Sequence, residues 1–473
     1  MADHANRELL TPLDLLMPAT YVQVFLTLET SEPTSAILPR LQSGLDAVAA
    51  KTPWISGRVL PTIPTPGQPP SLEIRWDAAH PTPQLVDKGV IQSSYTALSA
   101  QSMPPKSIPA HIWPLNPPAQ DDTSGAPVFA ASIFRFSDGT GLGLCVCIHH
   151  NTADATGITY LLSLWASATR ELPLGPGFAG RRPRLARLTD ALDPELNAAL
   201  SLSVQDLWAS HPELSKVAPT LPSEFEPCAC ELFRISTKKI DELKRRMQAG
   251  MGFNPTTTNL VTTLVWQAVT RARARRNPAL LGQAMATRLV TAVNGRGRIG
   301  PGVSTPDAPY LGNAVLYALA ELPVSQVVAG SGAPEENVVG ISNAVFKSQS
   351  TDLINKRSIA ELCSLVSRVD DYRGIFVGWD LFSSRDFTVT SWNGLELYEL
   401  DFGEGLGKPQ HVRPPYVEAD GVGFILPRKR AVEGAVGAVE DDAVEVLVML
   451  RKDDMACMMR DEEWAALQLG PQR

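Results

Sequence analysis

The densest group of reactive side chains in this 473-residue chain is Cys147-Ile148-His149-His150-Asn151-Thr152-Ala153-Asp154-Ala155-Thr156-Gly157. An apolar run ends in two histidines, and a carboxylate follows four residues after the second. Imidazole titrates near pH 6.5, so it can take and return a proton under ordinary conditions. A strand end holds the backbone of such a histidine while its ring reaches into a cleft. Adjacent strand residues point to opposite faces, so only one of the pair can serve that cleft. The same spacing also fits a buried histidine whose aspartate merely closes a turn. A metal site is less well supported, because HxxxD supplies two ligands and the other five histidines are scattered.

A second group follows about 240 residues later, with Thr390-Ser391-Trp392 and then Asp401-Phe402-Gly403-Glu404-Gly405-Leu406-Gly407-Lys408. A lone DFG does not make a kinase, since the HRD loop and the strand lysine are missing. The glycines do not meet Walker A spacing and read as a tight turn after a strand. Gly295-Arg296-Gly297-Arg298-Ile299-Gly300 matches GxGxxG, but Pro301-Gly302 follows where a dinucleotide fold needs a helix. There is no GxSxG elbow, so a serine-hydrolase mechanism has no candidate. No CxxC occurs among the six cysteines, which argues for buried, reduced thiols in a cytosolic setting.

The elements that must position these groups alternate between strand and helix. Tyr21–Leu28 reads as a strand and Thr34–Lys51 as a helix, which Pro39 should shorten. Pro127–Phe136 and Gly141–His150 form a hairpin about Asp138-Gly139, and a helix runs from about Gly157 to Arg170. From Glu171 to Pro227 prolines scatter through a mostly irregular crossover with a weak helix at Asp193–Leu200. The second half restarts with a strand at Cys230–Ser236, then helices at Thr237–Gln248 and Thr256–Arg275. Strands follow at Arg288–Val293, Phe387–Ser391, Gly421–Pro427 and Ala443–Leu450, with a strand or helix at Gly312–Leu322. The fold class is α/β, with two halves of similar size. Hydrophobic residues make up 44% of the chain, enough for a large core. The net charge of -8 argues against a sequence-independent nucleic-acid grip. No window approaches the ~20 apolar residues of a membrane span, and the first eight residues show no secretory signal. The expected location is therefore the cytoplasm.

His150-x-x-x-Asp154 and Asp401-Phe402-Gly403-Glu404-Gly405, in that order, resemble the BAHD superfamily of coenzyme A-dependent acyltransferases. The fungal branch similar to trichothecene acetyltransferases is nearest. Thr11-Pro12-Leu13-Asp14, Val293-Asn294-Gly295-Arg296, Tyr310-Leu311-Gly312-Asn313 and Thr390-Ser391-Trp392 also resemble that branch at the expected places, so the likeness covers nearly the whole chain. Two departures stand out: Ala155 occupies a family glycine position, and Glu404 a family tryptophan.

The resemblance implies two chloramphenicol acetyltransferase-like domains with a solvent channel between them. Residues 1–180 would form the first domain and also receive a strand from about 375–395. Residues 181–227 would be the crossover and 228–473 the second domain. It further implies direct acyl transfer, with acetyl-CoA as co-substrate and no permanently bound cofactor or metal. The acceptor would be a small-molecule alcohol of secondary metabolism, and the protein a monomer that binds neither membrane nor nucleic acid. His150 would be the general base, Asp154 would hold the loop by pairing with an arginine, and Trp392 and Thr390 would donate to the oxyanion. Asp401 would pair with Arg296 away from the acceptor, with Gly403 and Gly405 shaping a structural turn. His149 would be a core histidine satisfied by backbone. The acceptor pocket would be built from loops such as 65–70 and 104–118. Coenzyme A is an anion, and Arg296, Arg298 and Lys408 do not obviously supply the basic patch it needs.

Two other readings compete. A repurposed protein of this fold could steer a cyclisation or isomerisation of a polyketide- or terpenoid-like intermediate, and Ala155 is the only residue pointing that way. A condensation domain acting on carrier-bound thioesters shares a related histidine motif, but the DFG-type turn counts against it.

Overall fold

The computed structural model describes residues 6–63, 66–77, 82–116, 125–174, 182–247, 253–282, 285–305, 308–329, 334–429 and 442–469. The hairpin about Asp138-Gly139 is its organising element. Gly139 takes a φ of +70°, and Asp138 anchors the turn by accepting hydrogen bonds from Ser94 Oγ (2.7 Å) and Thr96 N (2.9 Å). Its arms, Phe129–Arg135 and Gly141–His149, sit inside a five-stranded sheet. The order is His411–Arg413, Tyr21–Glu29, Gly141–His149, Phe129–Arg135, Leu85–Val90. All nine residues of Gly141–His149 are buried, as a strand covered on both faces requires. Val146 and Ile148 join the large core, while Cys145 packs with Phe25, Phe134 and Tyr95 on the other side.

A second sheet of six strands has the order Cys228–Ser236, Ala443–Arg451, Val422–Ile425, Phe387–Ser391, Ala286–Asn294, Val315–Pro323. The helix Thr257–Arg276 lies in its core through Leu260, Leu264, Ala268 and Val269. Gly312–Leu322, open between strand and helix in sequence, is thus a strand from Val315.

Several expectations change. The strand expected from about 375–395 does not join the first sheet. Phe387–Ser391 pairs in parallel with both Ala286–Asn294 and Val422–Ile425, and Phe387 and Val389 bury into the second core. The first sheet instead takes His411–Arg413, which aligns on Phe25–Thr27 as Gln410 N bonds the Thr27 carbonyl (2.8 Å) and Val412 is buried. The helix Thr34–Lys51 runs through Pro39 unshortened. The crossover is not irregular: it folds into helices Arg184–Leu192, Glu195–Ala199 and Val204–Ala209, whose Leu188, Leu192 and Leu207 enter the first core. That core also draws Ile299, Tyr310, Ile359, Leu362, Trp392 and Phe402 from the second half of the chain, so residues 228–473 do not form one self-contained unit. Of the pocket loops expected in sequence, Thr65, Pro117 and Pro118 lie outside the described residues.

Candidate active site

His150 is the first residue past the strand Gly141–His149 and is half-buried. Its backbone is held on two sides: its N–H donates to the Thr20 carbonyl (2.7 Å), and its carbonyl accepts from Asn313 Nδ2 (2.8 Å). Burial pushes the imidazole pKa below its usual value. The ring's own carbonyl, Asp154, Asn313 and Asp14 pull upward without cancelling that effect. Nδ1 is buried and makes no well-formed hydrogen bond. Burial thus favours the neutral form of an imidazole whose backbone is held on both sides.

Asp154 caps the helix Ala155–Thr169, its Oδ1 accepting from Gly157 N at 2.8 Å. The same carboxylate receives Arg296 through Nη1–Oδ2 (2.9 Å) and Nη2–Oδ1 (3.0 Å), and Ala314 N donates to Oδ2 (2.9 Å). Arg296 also donates to the carbonyls of Tyr310 and Gly312. Asp154 therefore turns away from the ring of His150 and clamps the loop to the second half of the chain. Gly157 permits this approach, because a Cβ there would overlap the carbonyl oxygen of Leu311. The glycine demand of this loop thus falls at Gly157 and not at position 155. Ala155 is an ordinary first helical residue and is not among the described residues with positive φ.

The expected pairing of Asp401 with Arg296 is not made. The Arg296 guanidinium is committed to Asp154 and the backbone around it, and Asp401 sits elsewhere. Asp401 Oδ2 accepts from Arg170 Nη1 at 3.0 Å, and its Oδ1 accepts from Gly403 N at 2.9 Å. Arg170 ends the helix that Asp154 begins. Fifteen residues at ~1.5 Å each put the DFG-type turn roughly 22 Å from the His150 loop. Gly403 (φ +92°) and Gly405 (φ +77°) shape the turn, and a Cβ on Gly405 would overlap the Glu32 carboxylate. Phe402 is fully buried edge-on to Trp165, and Arg40 Nη2 donates to the Glu404 carbonyl (2.6 Å).

Trp392 and Thr390 come from the second sheet. Thr390 is half-buried opposite Phe424, and Trp392 packs edge-on to that ring at 4.7 Å between centroids. Trp392 shares one apolar cluster with Ile148 and Ala153, which flank the His150 loop, but among the described residues no hydrogen bond joins it or Thr390 to His150. Asn393 Nδ2 ties the turn to Thr258 Oγ1 (3.2 Å) on the helix Thr257–Arg276. His149 is 3% exposed, edge-on to Tyr21, with its pKa pushed down to about 4 by burial and by His150. Its Nδ1 has no partner, so the expected backbone partner is not found at that atom. The three basic residues weighed for an anion are all engaged. Arg298 binds the carbonyls of Gln349, Ser350 and Ile354, Lys408 pairs with Glu399, and Arg296 pairs with Asp154. A cleft of ≈ 670 Å³ lies between the helix Arg184–Leu192 and residues 299–302, with neither His150 nor Trp392 in its wall.

Sequence reasoning assigned no role to Asp14, Asn151, Arg184 or Asn313. Asp14 is fully buried: Oδ1 accepts from Asn313 N (2.9 Å) and Nδ2 (2.8 Å), and Oδ2 from Thr11 N and Oγ1. Asn151 Nδ2 donates to the carbonyls of Asp14 (2.7 Å) and Met17 (2.8 Å). The signal for Asp14 was the Thr11-x-x-Asp14 capping box.

Two α/β sheets, joined by a strand-end histidine loop that an arginine clamps from the opposite half, define a transferase of the two-domain acyltransferase fold. The chain belongs to the BAHD transferase family: the profile described as "Transferase family" matches residues 103–465, and that of the "Trichothecene 3-O-acetyltransferase-like N-terminal domain" matches residues 20–169. It is 27% identical to a trichothecene 8-O-acetyltransferase of Fusarium sporotrichioides, covering 96% of each chain. It is 25% identical to an O-acetyltransferase of Penicillium ochrochloron, over 96% of this chain and 95% of that one. Its fold is similar to F. sporotrichioides TRI101 complexed with coenzyme A and T-2 (TM-score 0.75, 20% identity, 98% of each chain covered). It is also similar to vinorine synthase (TM-score 0.61, 16% identity, 98% and 93% covered).

Proposed function

We propose that this protein transfers an acyl group, most simply acetyl, from coenzyme A to a hydroxyl of a secondary metabolite. The observation that carries the reading is the strand-end His150, its backbone fixed by Thr20 and Asn313 and the Asp154 carboxylate drawn off by Arg296. In this mechanism acyl-CoA and acceptor meet at His150 in a channel between the two sheets. The ring takes the acceptor's O–H proton as the oxygen attacks the thioester carbonyl, forming a C–O bond and an oxyanion. The indole N–H of Trp392 and the Thr390 hydroxyl stabilise that oxyanion. As it collapses, the C–S bond breaks and the leaving sulfur receives the proton from His150. No covalent enzyme intermediate forms. The fungal relatives named as O-acetyltransferases and the TRI101 complex with coenzyme A support the donor and the acceptor class. We further infer a cytoplasmic monomer. Among the described residues no helix is long and apolar enough to cross a membrane.

The test is to incubate the purified protein with acetyl-CoA and candidate alcohols, following free thiol and ester product. His150→Ala should lose at least 10²-fold in rate, as removal of a general base does. Unchanged ester formation by that variant would refute the base assignment. Product made without any coenzyme A dependence would refute acyl transfer itself.

A further inference from the structure

Arg184 opens the first crossover helix, and its side chain is completely buried. A guanidinium cannot shed its charge, so it persists in a protein interior only where carboxylates and acceptors surround it. Here its Nη1 donates to the Thr152 carbonyl at 2.7 Å, in the middle of the loop between His150 and Asp154. The same Nη1 lies 3.6 Å from Asp14 Oδ2, and Nε lies 3.4 Å from Glu8 Oε1. The backbone N–H of Arg184 also donates to Glu8 Oε1 at 2.7 Å, and the guanidinium covers the Trp54 ring at 5.0 Å. Asp14, in turn, holds Asn313, whose amide supports the His150 carbonyl.

The loop thus has two arginine anchors. Arg296 grips its far end at Asp154, and Arg184 grips its middle at Thr152 while countering the charge of Asp14. We propose that Arg184 is a positioning residue for acyl transfer, through which the crossover helix fixes the Thr152 carbonyl and the Asp14–Asn313–His150 chain, and so sets the placement of the base. The inference rests on His150 acting as that base.

The charges facing this network give the proposal a signature that instability alone would not produce. Arg184 faces Glu8, Asp14 and the Tyr310 ring, while His150 faces Asp14, Asp154 and His149. Arg184→Met leaves the Asp14 charge uncountered, which favours protonated His150. Asp14→Asn removes that charge and favours the neutral ring. The acidic limb of kcat/KM should therefore move to higher pH in Arg184→Met, to lower pH in Asp14→Asn, and back towards the parent in the double variant. Arg184→Met should lower kcat at least tenfold, with KM for acetyl-CoA within about threefold of the parent. Arg184→Lys should keep the parent limb but recover only part of kcat, because one ammonium cannot replace the fork that reaches Thr152, Asp14 and Glu8 together.

A folded Arg184→Met enzyme with kcat within twofold of the parent would overturn the proposal. So would activity that falls only with the folded fraction while the limb stays put. If Arg184→Met does not fold, Arg184→Lys decides, and an unchanged kcat there overturns the proposal. His150→Ala is measured alongside. Activity retained in that variant removes the base assignment. An inactive His150→Ala beside an unaffected Arg184→Met removes the Arg184 proposal alone.

Discussion

Arg296 and Asp154, 142 positions apart, form a two-point ion pair that is buried on both sides, with Nη1–Oδ2 at 2.9 Å and Nη2–Oδ1 at 3.0 Å. The pair joins the histidine loop of the first sheet to the strand end at Asn294 on the second. Each partner is also saturated by backbone, so neither can find a substitute if the other is lost.

Breaking that pair should be costly. Arg296→Met leaves a buried carboxylate without its cation, and such losses run to about 3–5 kcal/mol. We expect a Tm lower by several degrees and activity reduced by 10²-fold or more. Arg296→Lys should rescue little of either, because an ammonium cannot match two carboxylate oxygens and two carbonyls at once. Thermal melts and initial rates on the three proteins check this.

The DFG-type turn should behave differently. Asp401 and Arg170 are each about one-third exposed, and exposed pairs contribute less than about 1 kcal/mol. Asp401→Asn keeps the cap on Gly403 N and should leave kcat within a few-fold of the parent. Gly405→Ala should be the more damaging change, since it meets both a left-handed backbone and the Glu32 carboxylate. A comparison of their melting temperatures would reverse this account if Asp401→Asn proved the less stable.

Trp392→Phe retains the aromatic packing on Phe424 and removes one N–H. If that N–H serves the oxyanion, kcat should fall about 10²-fold with KM for acetyl-CoA and the melting temperature nearly unchanged. A matching rise in KM with constant kcat would point to ground-state binding instead.

The acidic limb of kcat/KM should have its midpoint below the ordinary imidazole value of 6.5, because burial favours the neutral ring of His150. A pH–rate profile with a midpoint above 7 would contradict the stated environment.

His149 predicts a separate effect on stability. The unfolded chain binds its proton near pH 6.5, whereas the native state refuses it until about pH 4. The native state is therefore fully favoured above pH 6.5 and loses up to about 3 kcal/mol from this group as pH falls towards 4. His149→Gln should flatten that decline in urea melts run between pH 7 and pH 4.

The histidine strand and its loop were legible because an unbroken apolar run, a DG turn and an HxxxD spacing all fall within 20 residues. Helices such as Thr257–Arg276 were legible to within a residue or two from their apolar residues and, here, a basic C-terminal end. The ion-pair partners were not, since nothing local distinguishes Arg170 from Arg296 as the mate of Asp401. The sequence already ends that helix near Arg170, but only the fold brings its end against the DFG-type turn. The crossover misled through its prolines, which hid the stripe of Leu188, Ala191 and Leu192. The helix Lys356–Arg368 carries Ile359, Leu362, Cys363 and Val366 at helical spacing, yet its place in the first core depends on contacts far along the chain.

The first sheet is finished by His411–Arg413, which pairs with Tyr21–Glu29 but is made roughly 260 residues after the sheet's middle strand, Gly141–His149. At a synthesis rate of roughly 5–20 residues per second, the outer edge of Tyr21–Glu29 is left bare on the ribosome for some ten seconds to nearly a minute. An unpaired edge is a template for wrong strands. Truncation before position 411 should therefore yield a chain that chaperones retain, and the nascent protein should be most prone to aggregate in that interval.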